Sequence, residues 1–237
     1  MTGSSAPTAN AAFKADGFAS LTLGPDHAYG LAFWRTADRE EQAVLEAALA
    51  PVVDRLPYSD GAAGTVLALS TDNLRVALHT QWVTSEACRA WIADLLGSAL
   101  PLASDVDEYE LAFTEPAEND RPFREGDLVA LGEFWIHDPA DQASLVEREP
   151  AAARQALRSP GMLSANFHRG LAGTRIVNLA QIETADAVTR LAAQPGFAAA
   201  SGYWRDLARN EHHTYRLVRV VPPITAHRPE GLEEQRS

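Results

Sequence analysis

The side chains best suited to chemistry in this chain are neutral ones. Asn166, His168, Asn178 and Gln181 fall within two neighbouring segments rich in β-branched and aromatic residues. An amide can donate a hydrogen bond to a carbonyl or phenolate oxygen, and an imidazole can take a proton near neutral pH. Trp135, Tyr203 and Trp204 are placed to wall a flat ring system by stacking. His79 and Trp82, on the matching segment of the first half, complete the candidates for ligand contact. Each has a structural alternative. A strand Asn or Gln commonly faces solvent or bonds locally. His168 adjoins Arg169 and a turn, where it could be exposed; Trp34 and Trp135 recur in both halves as packing residues do; and one of Tyr203 and Trp204 is expected in the core.

Other chemistries find little support. Cys88 is the only cysteine, so one chain can form neither an internal disulfide nor a cysteine-held iron–sulfur cluster. The histidines lack the spacing of a metal site, and His212 and His213, as strand neighbours, should point to opposite faces. No glycine-rich dinucleotide fingerprint or phosphate loop opens a helix, so any flavin is expected to be diffusible rather than tightly held. The formal charge is −12, with Lys14 the only lysine and no basic stripe, which argues against nucleic acid and anionic membranes as partners. No apolar run reaches the length of a membrane span and no signal-peptide pattern opens the chain, so a cytoplasmic protein is expected. With hydrophobic residues at 46% and charged residues at 22%, the chain can bury a core.

The elements that must position these residues come in two similar sets. Arg75–Ala87 aligns without a gap on Arg175–Ala187, matching Arg75 with Arg175, Gln81 with Gln181, Thr84 with Thr184 and Ala87 with Ala187. Asp38 and Gln42 match Asp138 and Gln142, and Phe33-Trp34 matches Phe134-Trp135 with a slip of one. Several matches in one order at one offset indicate an internal repeat. In the first half, Ala28 to Thr36 reads as a strand. Asp38 caps a helix, with Glu41 in the capping-box position and a stripe of Leu45, Leu49, Val52 and Leu56. A hairpin follows (Thr65 to Ser70, Leu74 to Trp82), then a helix capped by Thr84 and running to about Leu96, then a strand from Asp107 to Thr114. The second half repeats this order: a strand from Leu128 to Ile136, a helix begun by Asp138-Pro139, and a hairpin of Met162 to Arg169 and Thr174 to Glu183. A helix from Thr184 is then broken at Pro195-Gly196, a further helix reaches about Asn210, and a strand from Thr214 to Val221 closes the sheet. The reading is two ferredoxin-like βαββαβ units, residues 17–115 and 127–224, joined by a linker at 116–126, with a leader at 1–16 and a tail at 225–237. A four-stranded sheet with both helices on one face leaves the other bare. The α+β fold expected is therefore an intramolecular dimeric α+β barrel, each sheet covered by the other, with the facing sheets enclosing the reaction chamber.

The register of the second hairpin decides which candidates meet. If Arg169 pairs with Thr174, Asn166 and Asn178 lie on opposite faces. If Gly170 pairs with Thr174, Asn166 sits opposite Asn178 and His168 opposite Ile176, forming one polar cluster. A slip of one residue inverts every side chain, so both registers stay open, with the second preferred.

Around that hairpin the sequence resembles the antibiotic biosynthesis monooxygenase family of the dimeric α+β barrel superfamily. The resemblance rests on Pro160-Gly161-Met162, Ser164-Ala165-Asn166-Phe167-His168, Gly173 through Gln181, Thr184, and Pro195-Gly196-Phe197. It covers most of 128–221 and, more faintly, 28–114. It implies oxidation of a phenolic polycycle with O2. The fused two-unit form resembles the angucycline ring-opening oxygenases of jadomycin, gilvocarcin and kinamycin type, which use reduced flavin supplied by a reductase. In the quinone-forming members an Asn, and a Trp four residues later, belong to the site. Here the second half has Asn178 but Ile182, and the first has Trp82 but Leu78.

The resemblance thus implies an aromatic-polyketide oxygenase. His168, Asn178 and Asn166 are its candidate catalytic residues, and Gln181, Trp135, Tyr203, Trp204, Trp82 and His79 its candidate contacts. It would hold no metal and no tightly bound cofactor, with FMNH2 or FADH2 as a diffusible cosubstrate. A flavin reductase and a second copy of the chain are compatible partners. The rival readings are a non-oxidative polyketide cyclase, a haem-binding member with His168 or His213 as axial ligand, and a non-catalytic ligand-binding module.

Overall fold

The computed structural model describes residues 20–117, 121–194 and 201–223. Two four-stranded sheets join edge to edge into one closed barrel. The first half supplies β2 (Ala28–Arg35), α1 (Arg39–Arg55), β3 (Ala62–Ser70), β4 (Arg75–Trp82), α2 (Ser85–Leu96) and β5 (Asp105–Pro116). The second supplies β7 (Leu128–Ile136), α3 (Gln142–Ala156), β8 (Met162–Gly170), β9 (Arg175–Ile182), α4 (Ala187–Ala192) and β10 (Ala208–Val221). Around the barrel the order is β10-β3-β4-β2-β5-β8-β9-β7, with every described pair antiparallel. The last strand of each half bridges to the other half, β5 to β8 and β10 to β3, so neither sheet keeps a free edge. This is the expected α+β barrel.

The two halves carry the same pairing at a shift of 100 residues. Ala28 pairs with Trp82 and Leu128 with Ile182; Leu67 pairs with Leu78 and Phe167 with Asn178. A matching irregularity recurs where the halves join, at Leu111/Phe113 on β5 and Leu217/Arg219 on β10. Conserving register this closely requires the same anchors, and two are visible. Asp38 accepts from the amides of Glu40 and Glu41, and Asp138 from that of Ala140, each at a helix start. Gln42 Nε2 donates to the carbonyls of Ser70 and Arg75, and Gln142 Nε2 to those of Gly170 and Arg175. The matched glutamines therefore tie the first turn of each long helix to the turn of its hairpin. Glu41 closes its box on the amide of Ala37 rather than of Asp38.

Several sequence expectations shift. With the 100-residue correspondence, Trp34 matches Phe134, but Phe33 matches Glu133 and Arg35 matches Trp135, so only one aromatic pair recurs. The inner stripe of α1 is Gln42, Leu45, Leu49 and Val53, with Val52 only partly buried. The helix expected up to Asn210 is a single 3-10 turn, Ser201–Trp204, after which β10 begins at Ala208, six residues before the expected Thr214. Pairing of Ala208–Arg216 with Leu128–Ile136 outweighs the helix-forming residues between them. The Pro195-Gly196-Phe197 break lies outside the described residues, as do 118–120 of the expected linker. The rest of that linker is not a plain spacer. β6 (Phe123–Arg124) pairs with β1 (Ser20–Leu21), and Leu21 and Phe123 join the core inside the barrel. Leu21 seats against Gly64 at φ +149, where a Cβ would lie 2.3 Å from the leucine Cδ1.

The core has two layers. Tyr29, Leu31, Phe33, Val66, Val129, Leu131, Val177, Leu179, Tyr215 and Leu217 fill the barrel. Outside it, each sheet packs on its own helices: Trp34, Leu49, Leu67, Leu78, Trp82 and Trp91 in the first half, and Phe134, Leu145, Ala165, Phe167 and Ile176 in the second.

Candidate functional site

Strand alternation sorts the candidate residues onto two faces. The β8–β9 hairpin follows neither register considered above. Ile176 pairs with Arg169, Val177 with His168, Asn178 with Phe167 and Leu179 with Asn166. A four-residue turn, Leu171 to Thr174 with Gly173 at φ +78, accounts for it, because it lets Gly170 close onto Gly173. Asn166, His168 and Gln181 consequently share the barrel-facing side, and Asn178 lies on the other. The polar cluster expected from the preferred register does not form.

Inside the barrel, Asn166 is locally satisfied. Its Nδ2 donates to the Leu179 carbonyl at 2.9 Å and to Ser164 Oγ at 3.2 Å, and its Oδ1 accepts from Thr114 Oγ1. Gln181 donates to Asp127, which also holds Arg121. His168 is fully buried, 3.5 Å from His79 through their Nε2 atoms, and packs edge-on against Tyr29 with ring centroids 4.8 Å apart. Burial pushes the His168 pKa down to about 4 and that of His79 well below the usual value, with the neighbouring imidazole adding to the second shift. Both rings are therefore neutral packing groups near pH 7. One mouth of the barrel carries a charge network. Arg75 pairs with Glu211, Arg175 pairs with Glu133 and Asp105, and His213 bridges Asp72 (2.6 Å) and Glu211 (3.0 Å). Trp135 belongs to this mouth, stacked by Arg175 and Arg209.

The cavity that could receive a flat ligand lies elsewhere, between the outer face of the second sheet and its own helices. It measures about 310 Å³. Its floor is Ala130, Gly132, Phe134, Ala165, Phe167, Asn178 and Ala180, and its roof is Ala152, Ala153 and Ala156 of α3, Leu191 and Ala192 of α4, and Tyr203 and Trp204. Asn210 and the exposed His212 also line it, while His213 points the other way into the charge network, as strand neighbours should. Three of the residues singled out from the sequence, Asn178, Tyr203 and Trp204, thus meet here. The others do not: His79, Asn166, His168 and Gln181 lie behind the sheet, and Trp135 sits at the barrel mouth. Trp82 is packed in the first half, its indole N–H donating to Thr80. The expected chamber between the facing sheets is instead filled by side chains.

The second half holds a cavity because its side chains are smaller at matched positions. Across the 100-residue shift, Val53, Leu56, Leu78, Trp91 and Ile92 become Ala153, Ala156, Asn178, Leu191 and Ala192. In the first half Trp91 fills the space, resting on Gly30, where a Cβ would come within 2.4 Å of its ring, and it packs 5.9 Å from Trp82. In the second, Asn178 Oδ1 is buried with no hydrogen-bond partner. A buried amide oxygen left open in an alanine-walled pocket is costly unless something polar meets it. One residue near the cavity escaped the sequence reading. Glu149 replaces Leu49 on the inner face of α3 and is completely buried. Its signal was present: the stripe at 45, 49 and 53 places a carboxylate among apolar positions when shifted to 145, 149 and 153.

Comparison with known proteins agrees with this architecture. No protein-family model matches the chain, and no curated protein matches it in sequence. Solved structures do match. An anthrone oxidase-like protein superposes with a TM-score of 0.68 at 16% identity, over 83% of this chain and 93% of that one. A protein of Fusobacterium nucleatum subsp. nucleatum, provisionally named a monooxygenase, gives 0.57 at 9% identity, over 84% and 96%. A major regulator of staphylococcal pathogenesis gives 0.50 at 8% identity, over 81% and 99%. The likeness is one of fold. The same barrel serves proteins named for different tasks, so function must be argued from the cavity. No helix among the described residues is long and apolar enough to cross a membrane.

Proposed function

We propose that this chain is an oxygenase of planar aromatic phenols, of the anthrone or angucycline class met in aromatic polyketide tailoring, and that the cavity of the second half is its reaction chamber. The observation that carries the reading is the pairing of an apolar, alanine-walled slot with one unpartnered amide oxygen, Asn178 Oδ1, on its floor. Phe134, Phe167, Tyr203 and Trp204 offer ring faces and edges to a polycycle. The Asn178 side-chain amide, turned to present its N–H, donates to the ligand's carbonyl oxygen and stabilises the negative charge that gathers there when the ring carbon loses a proton. His212, at the lip, receives that proton. The carbanion passes an electron to O2 and recombines with the resulting superoxide. The hydroperoxide so formed loses water to leave a new carbonyl; one oxygen atom enters the product and the other leaves as water. Exclusion of bulk water by the apolar walls favours this course.

The reduced flavin implied by the resemblance to angucycline-type oxygenases finds no built seat. No Arg or Lys lines the cavity among the described residues to hold its phosphate. A flavin would act as a diffusible cosubstrate delivered by a reductase. The rival of a non-catalytic binder draws support from the missing Asn–Trp pair, since Asn178 stands four residues before Ile182.

Oxygen uptake with 1,8-dihydroxyanthrone, with and without enzymatically reduced FMN, separates these readings. Uptake above the uncatalysed rate is expected, and Asn178→Ala should lower it by roughly 10²-fold, the usual loss for one charge-stabilising donor. Tight binding with no oxygen consumed in either condition would leave a binding module or a cyclase.

A further inference from the structure

The apolar slot of the second half is not an isolated space. A second, more open groove of about 470 Å³ lies against it, and Leu157 and Met162 line both. Where the slot is walled by alanine and aromatic rings, the groove carries Glu115, Arg154, Arg158 and Ser159. Arg154 is paired with Glu115 at 3.3 Å, but the exposed Arg158 guanidinium makes no hydrogen bond or ion pair with any described residue. Two arginines against one glutamate leave the groove positive in a chain whose formal charge is −12.

The first half again supplies the control. Across the 100-residue shift, Arg154 and Arg158 stand where the first half has Asp54 and Tyr58, whereas Gln155, which lines the slot, stands where it has Arg55. A basic side chain near the end of a helix is favoured by the helix dipole. That accounts for Arg55 in the last turn of α1 and Arg154 in the last turn of α3. It does not call for Arg158, which lies beyond the C-cap residue Leu157. The half that opened a slot has therefore lost the cation at a slot-lining position and gained an unpaired one in the adjoining groove.

We infer that this groove is the polar extension of the ligand site: the slot takes a flat ring system and Arg158 takes a carboxylate carried on the edge of that system. The inference rests on reading the slot as the ligand site, and it narrows the ligand to a planar aromatic acid. The planar fork of a guanidinium matches the two oxygens of a carboxylate. Because Arg158 is exposed, solvent and salt screen the attraction, so the preference it gives is modest and falls as ionic strength rises.

The test measures binding rather than turnover, so it is independent of the oxygenase chemistry. Purified full-length protein is titrated, by tryptophan fluorescence, with 1,8-dihydroxyanthraquinone and with 1,8-dihydroxyanthraquinone-3-carboxylate, the same ring system with an acidic edge. The carboxylate should bind about fivefold tighter at low salt. Arg158→Ala should abolish that preference while leaving the uncharged compound within about twofold of wild type, and Arg158→Glu should reverse the preference. Equal binding of the two compounds by wild type, or a preference that survives Arg158→Ala, would overturn the proposal. So would a preference for FMN over riboflavin that needs Arg158 while the two anthraquinones bind alike, which would give the arginine to a phosphate. Ala156→Leu restores a first-half side chain inside the slot and should weaken both anthraquinones. If it changes neither, or if wild type binds neither, the slot reading falls and the carboxylate site with it.

Discussion

Glu149 and His168 are both buried, both uncharged near neutrality, and they bias stability with pH in opposite directions. Burial raises the Glu149 carboxyl from 4.5 to about 9. Above pH 4.5 the unfolded chain releases this proton while the folded chain keeps it, so the stabilising contribution is full below about 4.5 and is lost as pH rises toward about 9. Burial depresses His168 from 6.5 to about 4. Below pH 6.5 the unfolded chain takes up a proton that the folded one refuses, so stability is lost as pH falls from about 6.5 to about 4. Urea unfolding from pH 4.5 to 8.5 should therefore show Glu149→Leu gaining most over wild type at the alkaline end. His168→Leu should gain most at the acid end. Parallel curves for either variant would show that its parent group does not titrate as burial dictates. Asn178 illustrates a different rule at this scale, since a polar atom left open on a cavity floor marks a site more clearly than the satisfied Asn166 nearby.

Elements hold these residues through few anchors, and Gln142 is the most informative. Its side chain donates to the carbonyls of Gly170 and Arg175, fixing the start of α3 over the mouth of the β8–β9 hairpin. Those strands carry Asn178 on one face and His168 on the other, so the anchor also stabilises the hairpin on which the cavity floor depends. Gln142→Ala leaves two carbonyls without their donor and should cost about 1–3 kcal/mol in urea unfolding, with Gln42→Ala costing a similar amount. Equal, negligible effects would mean water replaces both donors. The match between Gln42 and Gln142 was legible in the sequence as a repeat, and its reason is this shared anchor. The turn length of the hairpin was not legible. Gly170 to Thr174 admits several closures, and the observed one is set by Gly173 in the left-handed region and by pairing of the hairpin with β5 and β7.

Across the whole molecule, closure of the barrel depends on final strands that stay paired in their own half and bridge to the other. β5 completes the second sheet through β8, and β10 completes the first through β3. A fragment spanning residues 127–237 would bare the backbone edges of β8 and β10 together with the apolar face carrying Val129, Leu131, Val177 and Leu179. Such a fragment should run as a dimer or aggregate by size-exclusion chromatography with light scattering, never as a stable monomer. A monodisperse folded monomer would contradict the view that each sheet needs the other. The halves also differ in packing: the first fills its sheet–helix space with Trp82 and Trp91, while the second leaves it open beneath Tyr203 and Trp204.

The sequence alone determined the α+β barrel and most of its strands and long helices, though not β1, β6 or the 3-10 turn before β10, because strand and helix periodicities and caps are local and a sheet with one bare apolar face must be covered. It also marked Asn178, Tyr203 and Trp204 as chemically able. Only the tertiary structure decided that these three meet between the second sheet and its helices, that Asn166, His168 and Gln181 turn into the barrel, and that the inner face of α3 buries Glu149. The reason is geometric: which face a strand residue takes depends on a register set by turn closure and by neighbouring strands, and a cavity exists only where matched positions on separate elements are small at the same time.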